Sequence, residues 1–218
     1  MKNVIAAAAL LAVAGAAQAG TVSYSGSYPL SSTNFVGAPI ANIPQWDPAA
    51  FGVTAADLVS VKLTVTGKAR GFVNAENLDV TPADVNYNVS ATVIVSAPAG
   101  ISLATIPVAT GTQSLAAFDG TQDFGGTSGF SSGTLNASSL PLSQTVLAGF
   151  AAYIGGGNVA GVSITGMGSS GGSGGGNLIF QAGTDAGAEW TIEYTWVPTP
   201  GAAALLGLGG LVAGRRRR

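Results

Sequence analysis

Apolar and polar residues alternate along several stretches of the chain with the two-residue period of a β-strand. The clearest stretch is 85–95, where every second residue is apolar and most of the residues between them are Asn, Ser or Thr. Successive side chains of a strand point to opposite faces, so we predict that one face of this strand is buried. The stretches 58–67 and 188–196 alternate in the same way, and in the first of them the residues predicted to be buried are Val59, Val61, Leu63 and Val65.

Weaker strand patterns are separated by clusters of Gly, Pro, Asn, Asp and Ser, and they lie at 22–28, 71–75, 101–106, 113–118, 159–165 and 178–181. Only 144–155 has a pattern compatible with a short helix. Many short strands joined by glycine-rich turns are typical of an antiparallel β-sandwich. We therefore predict an all-β fold, an antiparallel β-sandwich of jelly-roll-like or Ig-like topology, with a β-barrel as the alternative.

The start of the chain has the layout of a secretory signal peptide. Lys2 is followed by an apolar run at 4–17, and the small residues Ala17 and Ala19 flank Gln18. This arrangement predicts cleavage by signal peptidase between Ala19 and Gly20, and hence export of the protein. The alternative is a buried N-terminal helix.

The end of the chain is an apolar, glycine-diluted run backed by positive charge, and the last four residues are Arg215, Arg216, Arg217 and Arg218. The run at 201–214 has fourteen residues, about 21 Å as a helix, whereas a membrane span needs roughly 20 residues. We predict a short hydrophobic helix that holds the chain transiently in the inner membrane, with the arginines on the cytoplasmic side, until an enzyme removes it. A permanent transmembrane anchor is the alternative.

A proline motif precedes this run, and its residues are Val197, Pro198, Thr199 and Pro200. The order of proline motif, short apolar helix and arginine cluster resembles the PEP-CTERM sorting signal of bacteria that carry exosortase. The family motif usually reads Val-Pro-Glu-Pro, and here Thr199 stands in place of the glutamate. The resemblance implies recognition by a membrane-embedded, transpeptidase-like exosortase, followed by release or attachment outside the inner membrane.

The middle of the chain also resembles a known family. The stretches "IPQWDPAAFGVTAADLVSVKLTVTG", "FVNAENLD", "FDGTQDFGGTSG" and "GGGNLIFQAGTDAGAEWTIEYTW" occur in this order, and together they are similar to the choice-of-anchor E domain. That family consists of surface proteins whose C-terminal anchor varies, so the resemblance implies surface display and no established activity. We predict three parts: a signal peptide at 1–19, a β-sandwich surface domain at 20–196 and a sorting segment at 197–218.

The composition narrows the chemistry that the domain can perform. The chain has no cysteine and no histidine, which excludes disulfides, thiolate metal sites, cysteine nucleophiles and a Ser-His-Asp triad. Its formal net charge is −2, but five of the eight basic residues lie in the predicted terminal segments, so the middle keeps three against ten acids and carries −7. Nucleic acid binds clustered Lys and Arg, and we expect no nucleic-acid partner, no catalysis and no organic cofactor.

One glycine-rich turn is a candidate metal site. Asp119 and Asp123 lie in the stretch 118–129, where free backbone carbonyls and carboxylates offer the oxygen ligands that calcium prefers. The spacing matches no EF-hand loop. The alternative is an Asx turn, in which each carboxylate accepts hydrogen bonds from nearby backbone N–H groups.

One aromatic residue is a candidate binding platform. Trp190 and Trp196 lie on the apolar face of their stretch and are expected in the core, whereas Trp46 lies in a loop. There it is a possible stacking platform for a glycan, or it packs down beside Pro44. We expect an exported, exosortase-sorted structural or interaction protein of the cell surface or extracellular matrix; the alternative is a carbohydrate-binding module that contacts extracellular polysaccharide.

Overall fold

The computed structural model describes residues 18–199, which form two antiparallel β-sheets packed face to face. In this range there are twelve strands: β1 (Gly20–Ser32), β2 (Phe35–Pro39), β3 (Leu58–Asn77), β4 (Ala83–Ala97), β5 (Ile101–Thr105), β6 (Val108–Leu115), β7 (Gly129–Ser131), β8 (Leu135–Ser138), β9 (Leu142–Val146), β10 (Ser163–Gly168), β11 (Gly171–Gly174) and β12 (Leu178–Trp196). The prediction of an all-β antiparallel sandwich is confirmed.

The first sheet is built on the pairing of β3 with β12. Their antiparallel ladder runs from Leu58 opposite Trp196 to Asn77 opposite Leu178. β1 pairs with the other edge of β12, while β7, β8 and β9 pair in turn along the other edge of β3. The sequence pattern divides each of these two long strands into shorter predicted pieces, whereas the structure joins them.

The second sheet is built on β4. On one side of β4 lie β5 and β6, and on the other side lie β10 and β11, with β2 beyond β10. The two sheets enclose one main core, which forms because the apolar faces of the alternating strands meet. Ala91, Val93 and Val95 of β4 belong to this core, and Val85 belongs to a smaller cluster with Ala75 and Leu115. The β4 residues that alternation predicts to be buried and that are fully buried are Val85, Val89, Ala91, Val93 and Val95.

The prediction for Val59 is wrong, since its side chain is 41% exposed. The register between β3 and β12 shifts after Thr195, so that Trp196 lies opposite Leu58 while Thr195 lies opposite Ser60. An extra residue in one strand is a β-bulge, and it changes which side chains point inward. Leu58 takes the buried position instead.

The short helix predicted at 144–155 is mostly absent. Residues Leu142–Val146 form β9, and Phe150–Tyr153 form a single 3₁₀ turn. The turn begins after Gly149, whose φ of 75° is a left-handed conformation that glycine adopts at low cost. Three short 3₁₀ turns, Pro48–Phe51, Ala55–Asp57 and Phe150–Tyr153, are the helical elements of residues 18–199.

Some of the sequence-based predictions concern residues outside the described range. They are those for most of the signal peptide, for Pro200, for the apolar run and for the cluster Arg215–Arg218. Within 18–199, no helix is long and apolar enough to cross a membrane.

We predict that Val89→Asp abolishes the cooperative melt of residues 20–199. Val89 is fully buried in the core face of β4, and placing an unpaired charge there costs several kcal/mol, comparable to the stability of about 5–15 kcal/mol of a whole domain. Thermal unfolding followed by circular dichroism measures the effect. The control is Asn86→Asp on the exposed face of the same strand, which we expect to change stability by about 0.5 kcal/mol or less. A Val89→Asp variant that melts like the wild type would contradict the assignment of the faces.

Candidate functional site

The two predicted processing boundaries lie side by side at one end of the first sheet. Gly20 is the first residue of β1 and pairs with Trp196, the last residue of β12, while Ala19 is exposed and precedes the strand. The indole of Trp196 covers Gly20, and a Cβ atom at that position would collide with the ring. Cleavage between Ala19 and Gly20 would therefore leave the first strand whole.

The described part of the predicted sorting motif, residues 197–199, is held by Asp57, a residue that sequence reasoning missed. The backbone N–H of Val197 donates to the backbone oxygen of Asp57 over 2.9 Å, and that of Thr199 donates to its Oδ1 over 2.8 Å. The contacts of the domain thus continue past the predicted boundary at Trp196. A signal was present in the stretch Thr54–Asp57, because Thr-x-x-Asp is the pattern of a capping box.

The other oxygen of the Asp57 carboxylate fixes the turn before β3. The backbone N–H and the hydroxyl of Thr54 both donate to Oδ2, at 2.7 and 2.8 Å, and Asp57 is only 3% exposed. Hydrogen bonds from the backbone of Thr54, and next from that of Thr199, lower the pKa of Asp57 from 3.8 to about 2. Since the folded state prefers the charged form, the resulting stabilisation is present above pH 3.8 and is lost as the pH falls towards about 2.

Trp46 does not provide an exposed stacking platform, because its side chain is fully buried. Its ring lies 5.7 Å from that of Trp196 and 6.4 Å from that of Phe51. The loop is tied down by its backbone, since the N–H of Trp46 donates to the oxygen of Tyr153 over 2.8 Å and its carbonyl accepts from the N–H of Gly155 over 3.0 Å. The prediction of a glycan platform at Trp46 is therefore wrong, and this ring belongs to the core beside the exit of the chain.

The loop that follows β6 carries the two predicted calcium ligands. Asp119 accepts from the backbone N–H of Thr121 through Oδ1, at 3.0 Å, and from that of Thr127 through Oδ2, at 3.3 Å. The Thr121 hydrogen bond is the main reason that the pKa of Asp119 lies below its ordinary value. Asp123 accepts from the N–H of Gly125 at 2.8 Å. The bonds from Thr121 and Gly125 are those of Asx turns, and the bond from Thr127 closes the loop across eight residues. In residues 18–199 no group of three or more acidic side chains converges on a metal position.

The same loop is fastened to the sheet by Glu76, the second residue that sequence reasoning missed. Glu76 is fully buried at the end of β3. Its Oε2 accepts from the N–H of Phe124 and its Oε1 from the hydroxyl of Ser128, both over 2.6 Å. Glu76 falls outside the apolar phase of its strand, and its burial depends on the distant loop that covers it, so no local pattern marks it.

The outer surface of the second sheet presents a shallow polar groove, here called the polar face. In the ladder, Asn86 of β4 lies opposite both Thr112 of β6 and Ser173 of β11, and Asn88 lies opposite Thr110. The groove also has Tyr87 and three glycines in its lining, and its volume is about 660 Å³. Within residues 18–199, the side chains of Asn86, Thr110, Thr112 and Ser173 make no internal hydrogen bond, so their donors and acceptors face solvent.

A second cleft, of about 580 Å³, lies where β3 and β12 pass the loop after β1. Arg70 lines this cleft and forms an ion pair with Asp185, with 2.7 Å between Nη2 and Oδ2. Lys68 likewise pairs with Glu189 over 3.0 Å. Two of the domain's basic residues are thus engaged with carboxylates of β12. Of these, Arg70 and Asp185 line the cleft, and their opposite charges leave it close to neutral.

No family model matches the chain, and no curated protein matches it. Solved structures of infectious bursal disease virus show weak similarity. The Gt strain structure has 12% identity and a TM-score of 0.16 over 92% of this chain and 50% of the viral chain. The Gx strain structure has 12% identity and a TM-score of 0.15 over 84% and 42%. The chain spans half or less of the viral chains, and TM-scores of this size carry no argument about function.

We predict that a few millimolar calcium leaves the melting midpoint of residues 20–199 unmoved. The oxygens of Asp119 and one oxygen of Asp123 already accept backbone N–H groups, and a cation would have to displace those bonds. Differential scanning calorimetry with calcium and with a chelator measures the shift. An upward shift that disappears in Asp119→Asn/Asp123→Asn would instead establish the calcium site, because a ligand bound only to the native state raises its stability.

Proposed function

We propose that the chain is exported and displayed at the cell surface or in the extracellular matrix, where its β-sandwich has a structural or interaction role without catalysis. The observation that carries the proposal is the adjacency of the two boundaries. Gly20 and Trp196 are ladder partners, so a signal peptide and a sorting segment leave the same end of the same sheet. Both segments can be removed without breaking a strand.

The surface chemistry supports a binding role. The polar face offers neutral amides and hydroxyls, and the carboxylates Asp57 and Glu76 hold parts of the chain in place through hydrogen bonds. Neutral donors and acceptors of this kind bind ligands by hydrogen bonding and are unsuited to proton transfer near neutral pH. Export and sorting of this kind require signal peptidase and an exosortase-type enzyme as partners, and the chain is attached transiently to the inner membrane.

Expression of the full chain in a bacterium that carries exosortase tests this proposal. We expect surface or medium fractions to contain a protein that begins at Gly20 and lacks Arg215–Arg218, as measured by intact mass. The matched control is the same strain without exosortase, where we expect the C-terminal arginines to remain. A chain that keeps Met1 would contradict export through a signal peptide, and surface protein with an intact C-terminus would favour a permanent anchor.

A second candidate function is carbohydrate binding, and the polar face favours it. Side chains from three neighbouring strands lie in a row there, with Asn86 between Thr112 and Ser173. Adjacent strands are about 4.8 Å apart, a spacing close to that of successive sugar residues in an extended chain. A neutral, hydroxyl-rich extracellular polysaccharide fits this chemistry better than an anionic one, because Asp84 lies beside the row, two residues from Asn86 on β4.

We predict that Asn86→Ala/Thr112→Ala weakens retention on a neutral polysaccharide by about tenfold or more, since each lost hydrogen bond is worth about 1 kcal/mol. Affinity electrophoresis in gels that contain dextran, galactan or the host's own extracellular polysaccharide measures the effect. The control is Ser60→Ala/Thr195→Ala, a ladder pair on the first sheet, which should not change mobility. Equal mobility of all variants in every gel would exclude the polar face as a glycan site.

A further inference from the structure

We propose that Asp57 is a positioning residue for the sorting motif: it holds Val197–Thr199 on the folded domain and so confines the processing cut to the C-terminal side of Pro200. The proposal rests on the proposed function in that it assumes that the tail is processed. Its structural part is the pair of hydrogen bonds from Val197 and Thr199 to Asp57, here called the hold, and both bonds lie within the described residues.

The hold uses every backbone N–H group of the segment. Val197 donates to the backbone oxygen of Asp57 and Thr199 donates to its carboxylate, at 2.9 and 2.8 Å. Pro198 lies between them and has no N–H. No main-chain donor of the segment 197–199 is therefore left for another partner.

The position of Asp57 makes the contact a continuation of the sheet. The next residue, Leu58, pairs with Trp196 in the last rung of the β3–β12 ladder. Asp57 is 3% exposed, so water competes little for its oxygens, and a bond from an N–H to a charged acceptor is stronger than one between neutral groups. The two carboxylate oxygens have separate tasks, since Oδ2 binds Thr54 and Oδ1 binds Thr199.

A held segment is a poor substrate. Enzymes that bind extended peptides commonly do so by pairing with the peptide's main-chain N–H and C=O groups, as an added strand would. In the cut the peptide C–N bond breaks, the acyl carbon takes oxygen from water, and the released tail leaves with a free amine. Bonds within 196–199 reach such a site only after both hydrogen bonds to Asp57 open, whereas bonds beyond Pro200 need no release of the two donors.

Amide hydrogen exchange on the full chain in detergent micelles tests the hold. We expect the Thr199 amide of the wild type to exchange about tenfold or more slowly than in a free peptide, and Asp57→Ala, which leaves no side-chain acceptor, to remove most of that protection. The matched control is Thr54→Val, which removes a hydrogen bond from the same carboxylate but leaves Oδ1 in place. The Val197 amide serves as an internal reference, because its acceptor is the backbone of Asp57 and persists in each variant that folds.

These outcomes separate a specific hold from general destabilisation. Slow exchange at Thr199 in Asp57→Ala, or unprotected exchange at Thr199 in the wild type, would overturn the proposal. If Asp57→Ala fails to fold, the wild type and Thr54→Val still test the proposal, since both must show a protected Thr199 amide.

Intact mass of the processed protein from a host with exosortase tests the position of the cut. We expect wild-type chains to end at Pro200 or later, and Asp57→Ala to yield additional ends at or before Thr199. Wild-type ends at or before Thr199 would overturn the proposal. A complete lack of processing would refute the proposed function and, with it, the inferred position of the cut. The hydrogen exchange of the Thr199 amide would still test the hydrogen bonds to Asp57 independently.

Discussion

The antiparallel ladder between β3 and β12 is the constraint on which the first sheet depends. It continues from the rung of Leu58 and Trp196 to that of Asn77 and Leu178, and each of the other strands of that sheet pairs with one of these two. Because the side-chain period of a strand is two, the register of this one ladder decides which faces are buried on both strands. The bulge near Trp196 is the place where the register changes, and it lies where the chain leaves the sheet.

Two buried carboxylates flank this ladder and have the same physical role. Asp57 precedes β3 and Glu76 lies at its other end, and each accepts hydrogen bonds from backbone N–H and hydroxyl groups. Buried polar oxygens are tolerated when such bonds replace their hydration. Asp57 thereby fixes the departing chain, and Glu76 fixes the loop at 118–129. In residues 18–199 neither carboxylate takes part in an ion pair.

Alternation along the chain was sufficient to predict the fold class and the buried face of β4, because the pattern there is local and uninterrupted. It failed at Val59, where a bulge that depends on the partner strand reverses the faces. For Trp46 the sequence left an exposed platform and an inward-packed ring as alternatives, since the burial of a loop residue depends on elements more than a hundred positions away, such as Tyr153. The burial of Glu76 could not be predicted for the same reason, because it depends on a loop that is distant in sequence. Only the capping-box pattern at Thr54–Asp57 gave a local signal, and it predicts the turn. It does not predict that the segment after β12 binds to Asp57.

The length of β12 determines how far apart the two ends of the first sheet lie. A strand rises about 3.3 Å per residue, so the 19 residues of Leu178–Trp196 extend over roughly 60 Å. If the chain is suspended by its C-terminal segment, Gly20 and Trp196 lie at the attached end of this ladder, and the loop held by Glu76, which carries Asp119 and Asp123, lies towards the other end. The sandwich then acts as a spacer whose length is set by its longest ladder.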